Sequence, residues 1–171
     1  MVKAIILGSF YVTGNKIHVS DPCCDYDSVC AAKIVNALSG KYFAKLTLYD
    51  MATWGIRVAN LSIYHANHKN VVPNICTDCV IGVDSRQAGF FDDDYYAENQ
   101  GGEFGDITTL FGLACSLTLS KNHGGIMQEK GVVAETGFGD GFYNLYVGKN
   151  KAGQIVSASI IFIADDELEE P

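Results

Sequence analysis

From Lys41 to Tyr49 the chain sets Tyr42, Ala44, Leu46 and Leu48 against Phe43, Lys45, Thr47 and Tyr49, and "GIRVANLSIYHA" resumes the alternation a few residues later. Successive side chains on a strand point to opposite faces, so a period of two over this length predicts β-strands with one buried face. The short connector "DMATW" makes the two an antiparallel pair. Comparable runs occur in "KAIILGSF", "DCVIGVDS", "GVVAET", "GFYNLYVGKN" and "QIVSASIIFIA", the last two joined through "KNKAG" as a hairpin. With 18 Gly and only 3 Pro, the turns are made by glycine, which suits an antiparallel β protein. Gly14-Asn15, between Val12 and Ile17, predicts a further hairpin.

Two short helices are expected beside these strands. In "CCDYDSVCAAKIVNALSGK", Asp25, Asp27 or Ser28 offers an N-cap, Val29, Ala32, Val35 and Leu38 share a face, and Gly40 is a stop. In "DITTLFGLACSLTLS", Ile107, Leu110, Phe111 and Ala114 recur at helical spacing behind Asp106 as cap, whereas Asp92–Ala97 offers only a helical turn. The fold class is therefore α+β, a single domain dominated by antiparallel β-sheet with two short helices over residues 1–164. Residues 165–171, with five carboxylates, form an acidic, frayed tail.

The composition, 48% hydrophobic and 19% charged, is that of a folded soluble chain. A net charge of −8 argues against a nucleic-acid backbone or an anionic membrane as partner. The longest apolar runs, "AIIL" and "IIFIA", fall far short of the roughly 20 residues of a membrane span. The opening stretch is read as a first strand of a cytoplasmic protein and not as a secretory leader. On that reading the six cysteines are reduced and mostly buried. Neither metal nor cofactor is expected. Cys76-x-x-Cys79 has no second such pair, although Cys23, Cys24, Cys30 or His65-x-x-His68 could complete a zinc site, and Asp92–Asp94 lacks the alternate spacing of a calcium loop.

Two stretches concentrate polar groups. "GFGDG" (137–141) is followed by a strand and not a helix, and it lacks a terminal Gly-Lys-Ser/Thr, so it is neither a dinucleotide fingerprint nor a P-loop. It reads as a tight connector in which Gly139 and Gly141 permit positive φ, Asp140 braces backbone amides or walls a pocket, and Tyr143 follows. The second stretch sets Asp84, Ser85, Arg86 and Gln87 at the end of an apolar strand, with Asp92 further on. These eight residues, Asp84, Ser85, Arg86, Gln87, Asp92, Gly139, Asp140 and Tyr143, are the candidate ligand-binding set.

Taken together, "VSDPCC" (19–24), "GVDSRQAGFFDDDYY" (82–96) and "GVVAETGFGDGFYNLYVGKNKAGQIVSASIIFI" (131–163) resemble an uncharacterised domain-of-unknown-function family of bacterial, prophage and phage proteins. The resemblance covers most of the chain and falls on Asp21, Pro22, Asp84, Gly89, Asp92, Gly137, Gly139, Asp140, Gly141 and Tyr143. Thr136, Asn144 and Arg86 depart from that family's usual Ser, Pro and small residue. It implies no reaction. The expected function is a small non-enzymatic binding protein, a phage or prophage accessory that sequesters a small polar ligand, in one variant nucleotide-derived, or a host protein, with a homo-oligomer left open. The alternative is a hydrolase in which Asp84, Asp92 and Asp140 converge, one as general acid or base beside another that stays ionised.

Overall fold

The computed structural model describes residues 2–168. Eleven strands and two helices follow in the order β1 (Val2–Val12), β2 (Lys16–Ser20), β3 (Ala32–Val35), β4 (Gly40–Asp50), β5 (Ile56–His65), β6 (Ile75–Val83), β7 (Gln87–Asp92), α1 (Asp93–Asn99), α2 (Leu110–Thr118), β8 (Gly124–Met127), β9 (Gly131–Glu135), β10 (Gly141–Lys149) and β11 (Ile155–Ile161). A six-stranded sheet has the order β1-β4-β5-β11-β10-β6 and a five-stranded sheet the order β3-β2-β7-β9-β8. Ladder pairing is antiparallel throughout both. The α+β, β-dominated domain expected from the alternating runs is what forms.

The two sheets face each other across one core. Phe10, Tyr42, Leu46, Leu61 and Ile160 from the larger sheet meet Ile17, Val19, Phe90 and Val132 from the smaller. Their burial is the main stabilising contribution, about 1.5–3 kcal/mol for each large side chain. The smaller sheet is also covered on its far face, where Phe91, Met127 and Val133 pack against Tyr96, Leu110 and Ala114 of the helices. Every residue of β7 is consequently buried. The β4–β5 pair and the β10–β11 hairpin form as read, the latter closed by Asn150 with Gly153 at φ +79°.

Several expectations are overturned. Gly14-Asn15 does not close a hairpin: β1 pairs with β4, and β2 with β3 and β7, so the turn carries the chain from one sheet to the other. Alternation announces a strand but not its partner, and this crossing is held by Asp92, whose Oδ2 accepts from Thr13 N (2.6 Å) and Thr13 Oγ1 (2.7 Å). The helix expected after Asp25 is absent. Turns run through Asp21–Ala31 and lead into β3, where Ala32 and Ile34 are buried, Lys33 and Val35 are exposed, and Val29 is 98% exposed. The Val29/Ala32/Val35 spacing was coincidental, and Ser28 Oγ, which accepts from Cys30 N, supplies the local side-chain bond that competes with helix. Finally, only Cys115 of the six free cysteines is buried.

The two helices are α1, where only a turn was expected, and α2. Asp92 caps α1 through Tyr95 N (3.3 Å), and Thr109, not Asp106, caps α2 through Gly112 N. Asp106 closes the preceding turn onto Thr108 instead, leaving Ile107 exposed outside the helix. Of the expected tail, Asp165–Leu168 forms a 3-10 turn in which Tyr49 OH donates to Asp165 (3.0 Å), and residues 169–171 lie outside the described residues. Among the described residues no helix is long and apolar enough to cross a membrane.

Under α1 the fully buried His18 stacks with Tyr96 (3.9 Å between centroids) and Tyr26 (5.4 Å), and Lys33 Nζ lies 3.4 Å from the Tyr26 ring centroid. Its Nε2 pairs with Ser20 Oγ, and its Nδ1 lies 4.0 Å from Asp93 Oδ1. Burial lowers the imidazole pKa from 6.5 to about 4, opposed by Asp93 and aided by Lys33. The unfolded chain therefore takes up this proton near pH 6.5 and the folded protein only near pH 4. Stability is full above the first value and falls as pH drops through the window between them, by about 3 kcal/mol at most. Urea unfolding at about pH 7 and pH 4.5 is expected to show this loss, and His18→Phe is expected to reduce it. Separately, Asp92→Ala should lower stability by about 2–3 kcal/mol, because it removes a cap and the two charge-assisted hydrogen bonds that Thr13 donates to the buried carboxylate. Asp94→Ala, on the exposed side of the same turn, should cost less than about 1 kcal/mol in the same denaturant titration.

Candidate functional site

Asp21 follows β2 and is fully buried. Its Oδ2 accepts from the backbone amides of Asp84 (2.9 Å) and Ser85 (2.6 Å), and its Oδ1 from Cys23 N (2.8 Å) and the Ser85 hydroxyl. A buried carboxylate is tolerated when its lone pairs are filled in this way, and bonds to a charged acceptor are the stronger kind. The result is a fixed turn between β6 and β7, in which Arg86 takes φ +61°. Asp21 also touches the neighbouring thiols. Partial burial, and next the Asp21 carboxylate, push Cys23 up to about 12, and the same causes raise Cys24. Both remain protonated at neutral pH, which unsuits them as nucleophiles.

The "GFGDG" connector leans on that turn from the other side. Asp140 Oδ1 accepts from Arg86 N (3.1 Å), and Arg86 O accepts from Thr136 N (3.0 Å). Within the connector Gly139 has φ +98°, a conformation that side chains other than glycine rarely adopt, and its carbonyl accepts from Thr136 Oγ1 and from Tyr143 OH, both at 2.6 Å. Tyr143 in turn stands edge-on to Phe162. Asp140 thus braces a distant amide, that of Arg86.

Beyond the Arg86 turn opens a cleft of about 450 Å³, bounded by the start of β7, the end of β9 and α2. Ser85, Arg86 and Gln87 form one wall, Phe111, Cys115 and Thr118 of α2 another, and His123 and Glu135 the rim. Gln87 is buried and locked, with Nε2 donating to Ser85 Oγ (3.1 Å) and Cys115 Sγ (3.3 Å) and Oε1 accepting from Thr118 Oγ1 (3.0 Å). At the rim Glu135 Oε2 pairs with His123 Nδ1 at 2.9 Å, while Oε1 lies 3.9 Å from the largely exposed Arg86 guanidinium. The cleft offers a locked amide floor, a largely exposed cation, an imidazole held by a carboxylate, and apolar surface from Phe104 and Leu119.

Of the eight expected residues, Ser85, Arg86 and Gln87 line this cleft, and Gly139, Asp140 and Tyr143 stand behind it as supports. Asp84 is exposed and contributes its amide to Asp21. Asp92 lies at the other end of β7, about 17 Å along the strand, and both its oxygens serve turns. Asp84, Asp92 and Asp140 therefore do not converge, and among the described residues no three His, Cys, Asp or Glu gather as a metal site. His123, Glu135 and the α2 residues were missed. Glu135 enters because it sits opposite Gln87 in the β7–β9 register, which alternation alone does not reveal. Phe111, Cys115, Thr118 and Leu119 do form a helical stripe that a correctly placed α2 would have exposed.

Asp21→Asn places an amide NH2 among backbone donors, and is expected to lower stability by about 2–4 kcal/mol in urea unfolding followed by circular dichroism. Asp84→Asn, which leaves the amide in place, should change it by less than about 0.5 kcal/mol. Compared with protein-family models, with curated proteins and with solved structures, the chain matches none.

Proposed function

We propose that the chain is a non-enzymatic binding protein whose cleft beside Arg86 takes a small polar, anionic ligand carrying a flat apolar part. The observation that carries this reading is the use made of the motif carboxylates. Asp21, Asp92 and Asp140 each accept from backbone amides and so build turns, and Asp92 stands at the far end of β7, so the three carboxylates of the hydrolase reading are not gathered in one pocket. What the turns present is the Arg86 guanidinium beside the Gln87 floor and the apolar surface of Phe104, Phe111 and Leu119. A guanidinium fork suits a phosphate or carboxylate, and a cleft of this volume holds a molecule of nucleotide size. On this reading the chain is an accessory protein that sequesters such a ligand.

Native mass spectrometry of protein purified from its own cells is expected to show a small-molecule adduct that denaturation releases. Arg86→Glu should lose the adduct while unfolding within about 1 kcal/mol of the parent, because the side chain is exposed and its amide bond to Asp140 survives. Added back at 100 times its Kd, the ligand should stabilise the parent by about 2.7 kcal/mol, visible as a raised melting temperature. A clean apo mass, joined to no thermal shift with nucleotides, sugar phosphates or organic acids, would overturn the reading.

A further inference from the structure

The outer face of the six-stranded sheet differs from the rest of the molecule in charge. Its six strands, with the 66–74 segment laid over them, hold six of the twelve Lys and Arg residues but only two of the twenty Asp and Glu, Asp50 and Asp78. Most of the other described acidic residues sit on the helices and the loops around them, and Asp165 meets this sheet at Tyr49, four residues along β4 from Lys45. The net charge of −8 is an average that conceals a basic surplus on this sheet, carried on its outer side by Lys41, Lys45 and Lys69. It argued against a nucleic acid for the whole chain; its distribution argues otherwise for this side.

On that face β4 turns Tyr42, Ala44 and Leu46 into the core, and so Lys41, Phe43 and Lys45 outward. Phe43 pairs directly with Tyr64 of β5, and Ile6 of β1 pairs with Lys45. Ala66 N donates to Lys41 O (2.8 Å), which starts the 66–74 segment across the sheet, and Val71 and Val72 come down over Gly148. Between segment and sheet lies an open groove of about 620 Å³ walled by Ile6, Phe43, Lys45, Tyr64, Lys69 and Val72. Each ring in it is accompanied by an ammonium group. Lys69 Nζ lies 4.5 Å from the Phe43 centroid, Lys41 Nζ 5.6 Å from it, and Lys45 Nζ 5.4 Å from the Tyr64 centroid.

We infer that this groove binds a short stretch of single-stranded nucleic acid, with its phosphates on Lys41, Lys45 and Lys69 and a base against the Phe43–Tyr64 pair. The match is in the order of groups. Lys41 and Lys45 are about 13 Å apart along β4 with Phe43 midway between them, which sets cation, ring and cation in line. A single strand presents anion and flat ring in the same alternation, and sheets that bear aromatic residues between basic ones bind it by stacking and charge together. An acidic peptide offers the anions without the rings. Lysine stems are flexible enough to leave the ring faces for phosphates as a base arrives. The groove is on the opposite sheet from the Arg86 cleft, so it stands independently of the function proposed there.

Fluorescein-labelled oligo(dT) of ten residues, titrated with the full chain at low salt and followed by anisotropy, is expected to bind, and to weaken at least tenfold as salt is raised from 50 to 200 mM. Lys41→Glu with Lys45→Glu should weaken binding more than tenfold, and Phe43→Ala several-fold, while Lys121→Glu, remote from the groove, leaves it unchanged. Lys69→Glu gives a check that does not alter the sheet, since Lys69 lies in the exposed segment. The inference is overturned by no binding at low salt, by binding that these substitutions do not alter, or by poly-glutamate or anionic vesicles competing as well as unlabelled oligo(dT). It is also overturned if Phe43→Ala, folded by its thermal melt, binds as tightly as the parent.

Discussion

The buried carboxylate of Asp21 is the interaction on which the remaining architecture depends. It lies where β2 ends and fixes the turn through which the chain leaves the larger sheet for β7, the strand buried on both faces at the centre of the smaller one. A buried anion without donors would cost several kcal/mol, so its four partners make this geometry strongly preferred over alternatives. From it follow the position of Ser85, the bond from Gln87 to Ser85, and the lock of Gln87 against Cys115 and Thr118 of α2. One residue thus connects an early loop, the sheet centre and the helix that forms the cleft.

The cleft is rigid on one side and adjustable on the other. Gln87 is held at both ends of its amide, and Arg86 is held by its backbone, through Asp140 and Thr136, while its guanidinium reaches into solvent. Fixing the main chain while leaving the cation exposed beside Glu135 limits the ordering cost of binding to a few side-chain rotors. Carboxylates that the sequence offers as acids or bases are here structural acceptors, which is why the motif looks chemical on paper and reads as scaffolding in three dimensions.

Much of the fold was legible because it rests on alternation: β4, β5, β10 and β11 and their two pairings follow from residues a few positions apart. What was not legible depends on distant partners. Val12-Thr13-Gly14-Asn15 has hairpin composition, and only Asp92, 79 residues away, makes it a crossing between sheets. The failed helix at 25–40 had a helical spacing of apolar residues by chance, whereas the buried Ala32 and Ile34 obey the strand period. For the site, strand-end logic found Ser85–Gln87 and the glycine-rich connector gave its supports Asp140 and Tyr143, while Glu135 and His123 required the β7–β9 register. The cysteines were misjudged because small apolar character says nothing about which loops they occupy.

The chain changes sheets four times, at 13–15, 36–39, 84–86 and 136–140, so each sheet is assembled from pieces widely separated in sequence. Neither layer exists as a continuous stretch that could form first and wait for the other. Strand pairs such as β1–β4, β2–β7 and β5–β11 require large loops to close before any of their contacts compensate for the lost chain entropy. Such a topology places folding in the slow regime of milliseconds to seconds typical of sheet proteins dominated by non-local pairing. It also makes the molecule one cooperative unit, in which a nick or truncation within either sheet removes strands from the middle of the other's connections.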